Sequence, residues 1–117
     1  MRMWGVDPKM LCRKHLLGEH VEMHMFAGCV IKQMKLDGYI KKGLVELDQI
    51  RTRHDQLAEE MIQRGYRHHS RFPTEAFNSA YWMGHYDKLV GKVNVTANER
   101  ELINRCEDCK LYFHAFM

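Results

Sequence analysis

Proline is scarce in this sequence, and its scarcity most limits the folds open to the chain. The two prolines among 117 residues, Pro8 and Pro73, leave a long stretch without either. Proline inside a helix removes a hydrogen bond and clashes with the preceding turn, so such a stretch has room for long helices. No internal repeat is present, and the length suits one hydrophobic core. We therefore predict an all-α fold, a single domain over residues 1–117 with about three main helices.

The first predicted helix begins at Pro8 and ends near Lys35. Asp7 supplies an N-cap oxygen, and a proline at the first helical position loses nothing by lacking an N–H. A bend is expected near Ala27 and Gly28.

Two further helices are predicted from periodicity and capping. Thr96 and Glu99 form a capping-box signature ahead of "ELINRCEDCKLYF", which predicts a helix near the carboxyl end. Residues 66–95 show no sustained period, so we expect irregular structure with one short helix around Glu75 to Trp82. The second helix lies in "ELDQIRTRHDQLAEEMIQRG" and ends at Gly65, with Leu47, Ile50, Leu57, Met61 and Ile62 on one side.

The first helix carries an unusual cluster of polar residues, "HLLGEHVEMH". Two carboxylates beside an imidazole at the edge of an apolar surface would have shifted protonation equilibria, which suits catalysis or ligand contact. The alternative is a solvated polar flank. Successive residues of a helix turn by roughly 100°, which divides this helix into three stripes. The apolar stripe contains Leu11, Leu17, Gly18, Val21 and Met25. The stripe beside it contains His15, Glu19, Glu22 and Phe26, and the far side contains Arg13, His20 and His24.

Metal binding is the less favoured interpretation of the histidines and cysteines. His20 and His24 have the i, i+4 spacing of metal ligands but lack the H-E-x-x-H arrangement of zinc proteases. Cys106 and Cys109 supply half of a structural zinc site, which Cys12, Cys29 or His114 would have to complete. We interpret the cysteines as small core residues and predict no metal and no cofactor. A zinc-dependent hydrolase stays the weaker alternative.

Composition and charge bear on partners and location. The net charge of +3 and a pI near 8.7 permit nucleic-acid binding without requiring it. The segment "IQRGYRHHSRF" interleaves arginines with aromatic residues and has no acid, so it can contact phosphates and bases; a solvated loop is the alternative. No apolar run approaches about 18 residues and no secretory signal is present, which predicts a cytoplasmic protein with reduced thiols and no membrane contact.

Three segments resemble the pyrimidine-dimer DNA glycosylase family. They are the opening "MRMW…HLLGEHVE", the "RTRHDQLAEEMIQRGY" helix and, more loosely, the aromatic-rich carboxyl end, together about half of the chain. The resemblance implies a small all-α enzyme that cuts the glycosidic bond of a damaged pyrimidine. It also implies abasic-site lyase activity, in which the enzyme then nicks the backbone through an imine, without a metal.

The resemblance also implies roles for individual residues. The family's His-x-x-x-Glu-x-x-Glu pattern falls on His15, Glu19 and Glu22, so Glu22 corresponds to the catalytic glutamate. The nucleophilic α-amine corresponds to that of Met1, and Arg2 to the arginine that follows it. The bulk of Arg2 favours retention of Met1.

The chain departs from the family where DNA-binding arginines are expected on the first helix, because Val21 and Met25 stand there. The predicted substrate-binding residues are Arg2, His15, Arg67, Arg105 and Lys110. The predicted partner is double-stranded DNA with damaged pyrimidines, bound by a monomer. A non-catalytic nucleic-acid-binding relative of the same fold is the main alternative.

Overall fold

The computed structural model describes residues 1–80 and 90–116, which are helical and contain no β-strand. This confirms the predicted all-α fold. Within these ranges no helix is both long and apolar enough to cross a membrane. The helices are α1 (Arg13–Ile31), α2 (Asp37–Lys41), α3 (Ile50–Gln63), α4 (Thr74–Ala80), α5 (Val95–Arg105) and α6 (Glu107–Phe116), with short 3-10 turns at Pro8–Met10 and Leu47–Gln49.

The core forms around α1, which packs against α3 and α4, while α6 packs against α5 and the Pro8–Met10 turn. The amino-terminal segment contributes Met3 and Trp4, whose side chains are buried among the helices. Along α1 the buried apolar side chains are those of Leu16, Met23, Phe26, Ala27 and Val30.

The first helix is shorter than predicted at both ends. Asp7 does cap Pro8–Met10, accepting the Lys9 N–H at 3.0 Å, but this segment is only a 3-10 turn. Leu11 is then extended and fully buried, so the chain turns into the core before α1 begins at Arg13. The carboxyl end of α1 is Ile31, and the positive φ of Gln33 breaks the helix before Lys35.

The predicted apolar stripe of α1 was wrong. Val21 and Met25 are about half exposed, at 55% and 50%, whereas Glu19 and His20 are buried. The prediction took the apolar side of the helix as the buried side, but α3 supplies polar partners that allow polar residues of α1 to be buried. Arg53 pairs with Glu19, and buried polar groups are tolerated where they are paired.

The second predicted helix is confirmed as α3, which buries Ile50, Leu57 and Met61. Gly65, at φ +82°, follows its end as expected, while Ile62 is exposed rather than buried. Between α1 and α3 lies the short helix α2, which was not predicted.

The carboxyl-terminal helix is divided in two. Cys106 is extended, at φ −130° and ψ 109°, and separates α5 from α6. The cap of α5 is Asn94, whose side chain accepts the Ala97 N–H at 3.0 Å, so the prediction that Thr96 begins this helix was wrong. The short helix predicted near Glu75 corresponds to α4; its predicted end at Trp82 lies outside the described residues.

Candidate active site

The amino terminus lies against α1, beside Glu22. The α-amine nitrogen of Met1 is 3.8 Å from Glu22 Oε1. Two backbone donors hold the segment that follows: the Met3 N–H bonds the Leu44 carbonyl at 2.6 Å, and the Trp4 N–H bonds Glu19 at 3.1 Å. The structure therefore brings together the amine and the carboxylate that the sequence marked as the catalytic pair.

Glu22 is half-buried, and burial raises the pKa of its carboxyl above the ordinary value. The positive charge of the Met1 amine and the Arg2 backbone N–H both oppose that effect, while the negative charge of Glu19 adds to it. A carboxylate that is partly desolvated beside an amine is suited to exchanging protons with it.

Glu19 has a different environment, although it lies on the same helix face. Its side chain is fully buried and accepts two hydrogen bonds from Arg53, at 2.6 and 2.9 Å, as well as the Trp4 N–H. The Trp4 bond holds the amino-terminal segment against α1, and the two Arg53 bonds join α1 to α3. Glu19 therefore positions the chain near Glu22, and it is not a solvated polar flank.

Arg2 and Arg105 both contact Glu101 and Trp4. Arg2 donates to Glu101 and Asn98, both at 2.9 Å, and its guanidinium lies 3.6 Å from the centre of the Trp4 ring. Arg105 donates to Glu101 at 2.6 Å and lies 5.0 Å from the Trp4 ring centre. The two arginines, both predicted to bind substrate, thus lie together next to the amino terminus.

His15 faces two neighbours. Its ring meets Trp4 edge-on, with centroids 5.8 Å apart, and its Nδ1 lies 3.2 Å from Cys12 Sγ and 3.4 Å from Cys109 Sγ. Burial lowers the pKa of His15, and the charges of Arg105 and Lys14 lower it further. The neutral imidazole is therefore favoured, and contact with substrate stays a prediction.

A surface groove of about 500 Å³ runs along α1 beside these residues. Exposed Val21 gives it an apolar wall next to Glu22, in place of the arginine expected at that position. Such a wall suits an aromatic base better than a phosphate. The groove is lined by Trp4, Lys14, His15, Leu17, Gly18, Glu19, Val21 and Glu22.

The other two predicted binding residues are placed differently. Lys110 is exposed and directly follows Cys109, so it lies toward the His15 side of the molecule. Arg67 is exposed and adjoins His68, whose ring contacts His20 on the side of α1 that faces α3. Arg67 is therefore not grouped with Glu22.

Two clusters have the residue types to hold a metal ion. Within each, one ligand atom per residue lies within 4.8 Å of all the others. The sequence analysis named Cys106, Cys109 and Cys12 as candidates for the first cluster, but it missed the Cys12-x-x-His15 spacing that completes it. In the second cluster, the i, i+4 spacing of His20 and His24 was the sequence signal, whereas His54 and His68 lie too far along the chain to give one. The clusters are Cys12, His15, Cys106 and Cys109, and His20, His24, His54 and His68.

A comparison with protein families gave a match over more than half of the chain. A family model described as pyrimidine dimer DNA glycosylase matches residues 1–74. This segment includes Met1, Arg2 and Glu22 and ends where α4 begins, so α5 and α6 lie beyond it. No curated protein and no solved structure matches the chain.

Proposed function

Because the chain belongs to the pyrimidine dimer DNA glycosylase family, we propose that this DNA glycosylase excises damaged pyrimidines and then cleaves the DNA backbone at the abasic site. The proposed nucleophile is the α-amine of Met1. The observation that carries this proposal is the 3.8 Å separation between that amine and Glu22.

The amine attacks C1′ of the damaged nucleotide. The bond between C1′ and the base breaks, and its electron pair leaves with the base, which takes up one proton from the amine. The second amine proton passes to O4′ as the bond between C1′ and O4′ breaks, which opens the sugar ring and leaves an imine. An α-amine is less basic than a lysine side chain, so a useful fraction of it is neutral near pH 7 without deep burial.

Glu22 has two proposed tasks. Its carboxylate stabilises the positive charge that builds on the sugar as the base leaves. It then moves the proton that β-elimination removes from C2′, as the bond between C3′ and its phosphate oxygen breaks. Hydrolysis of the imine frees the amine for another turnover.

Arg2 and Arg105 supply the charge for phosphate binding. In the free protein both donate to Glu101, so a DNA phosphate would replace that carboxylate as their acceptor. The apolar wall at Val21 supports contact with the damaged base rather than with the backbone. We propose duplex DNA as the partner of a monomeric enzyme.

Borohydride trapping on a duplex with one pyrimidine dimer tests the proposal. Reduction of the imine should fix the protein covalently to the DNA, and peptide mapping should locate the link at the Met1 nitrogen. Protein acetylated at the amino terminus is the control, and it should bind DNA without being trapped. Full strand cleavage by the acetylated protein would overturn the mechanism, whereas binding without trapping by the native protein would indicate a non-catalytic relative.

A further inference from the structure

Two ligand pairs meet where α1 begins and where α5 gives way to α6. Cys12 is the residue before α1 and His15 lies in its first turn; Cys106 is the residue before α6 and Cys109 lies in its first turn. Each pair thus has the same spacing and the same position on its helix. Two such pairs supply the Cys₃His ligand set of structural zinc sites.

The distances between these side chains fit one tetrahedral ion. Zinc–sulfur and zinc–nitrogen bonds of about 2.3 and 2.05 Å place two sulfurs about 3.8 Å apart, and a sulfur and a nitrogen about 3.5 Å apart. In the structure Cys12 Sγ lies 3.9 Å from Cys106 Sγ, and His15 Nδ1 lies 3.2 and 3.4 Å from Cys12 Sγ and Cys109 Sγ. A disulfide would need about 2.0 Å.

Backbone N–H groups reach two of the three sulfurs. The Cys12 N–H points to Cys109 Sγ at 3.4 Å, and the Cys109 N–H points to Cys106 Sγ at 3.5 Å. Hydrogen bonds to the ligands orient them and stabilise thiolates around a metal.

We propose that Cys12, His15, Cys106 and Cys109 bind one zinc ion. Four protein ligands close the coordination sphere, so the site is structural and activates no water. Binding releases the thiol protons to solvent. The ion would join the start of α1 to α5 and α6, which lie beyond the segment matched by the family model. It would also fix the His15 ring against Trp4, beside the proposed active site.

Cobalt substitution tests this site, because cobalt(II) bound to thiolates absorbs by sulfur-to-metal charge transfer. We expect that band in the native chain and in Cys29→Ser, whose thiol lies outside the cluster. Cys106→Ser should weaken zinc binding by more than the roughly 10–100-fold cost of losing an outer-shell partner. A native cobalt protein without the band, or equal zinc affinity in Cys106→Ser and Cys29→Ser, would overturn the proposal. The spectrum of the native cobalt protein tests the site even if Cys106→Ser misfolds.

The four histidines carry a second proposal, on separate observations. His54 is buried, and its Nε2 has no hydrogen-bond partner within residues 1–80 and 90–116; neither has the buried Nε2 of His24. The Nδ1 of His54 lies 2.9 Å from Asp55 Oδ1. A carboxylate on one ring nitrogen, with the other left for the ion, is the usual arrangement of a metal-bound histidine.

His20 and His68 supply two further ligands beside His24 and His54. His20 and His68 approach through their Nε2 atoms at 3.0 Å, close to the roughly 3.3 Å edge of a tetrahedron of nitrogens around zinc. The rings come from α1, α3 and the segment after α3, so an ion would tie these three parts together. We infer that His20, His24, His54 and His68 hold a second divalent ion of the zinc class.

Metal analysis of single variants tests the second site. After equilibration with zinc, the native chain and His69→Asn should carry one ion per chain more than His68→Asn. His69 is the matched control, because it is exposed and lies outside the cluster. A helical circular dichroism spectrum equal to that of the native chain shows that His68→Asn is folded. Equal zinc content in the native chain and in folded His68→Asn would overturn the second site.

Discussion

Glu22 and Glu19 show how two carboxylates on one helix face acquire different tasks. Glu22 is half-exposed beside an amine, whereas Glu19 is enclosed by Arg53 and the backbone of Trp4. The closeness of Met1 and Glu22 could be predicted, because it follows from the resemblance of the first 26 residues to a known family. The role of Glu19 could not be predicted, because its partner Arg53 is 34 positions away and no local sequence pattern indicates the pairing.

Glu22→Gln should abolish most of the chemistry and leave binding intact. The neutral amide cannot stabilise sugar cation character or move a proton, so single-turnover cleavage should fall by about a hundredfold or more. Affinity for damaged duplex DNA should hold or rise, because a negative charge is removed. Glu59→Gln, an exposed change on α3, is the control and should keep full activity. Similar rates for the two variants would show that Glu22 takes no part in the reaction.

Glu19→Gln should act on stability instead. The substitution leaves the buried Arg53 guanidinium without a counter-charge, and breaking a buried ion pair costs about 3–5 kcal/mol. Urea denaturation should show the loss as a lower free energy of unfolding. Glu60→Gln is the comparison and should cost less, because Arg64 keeps its bonds to the Pro8 and Leu11 carbonyls. An unchanged unfolding midpoint in Glu19→Gln would contradict the importance of this pair.

At the scale of elements, periodicity predicted α3 well and α1 poorly. The apolar residues of α3 face the core, as expected of an amphipathic helix. In α1, however, the side that packs against α3 contains a glutamate and histidines with partners there, so hydrophobicity misjudged which side is buried. Local signals locate a helix, but partners distant in sequence decide which face it buries.

The start of α5 offers a test between two neighbouring caps. Asn94 accepts the Ala97 N–H, so Asn94→Ala should lower the free energy of unfolding by about 1 kcal/mol. Thr96→Ala should change it little, because Thr96 lies inside the helix and is exposed. Denaturation of both variants under one condition gives the answer. A larger loss for Thr96→Ala would restore the capping box predicted from sequence.

At the scale of the molecule, binding of DNA should depend on salt. Lys110, on α6, and Arg67, in the segment after α3, are both exposed, and each is expected to neutralise one phosphate. Lys110→Gln and Arg67→Gln should each weaken binding to all sequences and reduce the salt slope by about one. Fluorescence anisotropy over a range of salt concentrations measures both effects. Affinity that does not change with salt would contradict a DNA substrate.

Hydrogen bonds between residues far apart in sequence have a consequence for the order of folding. Arg2 bonds Glu101 and Asn98 across 99 and 96 positions, and Asn98 bonds the Trp4 carbonyl across 94. Arg2 therefore gains these partners only once α5 has packed against the amino-terminal segment. Met3 and Trp4, by contrast, are held by Leu44 and Glu19, so the Met1 amine can lie beside Glu22 before Arg2 is fixed for its proposed contact with phosphate.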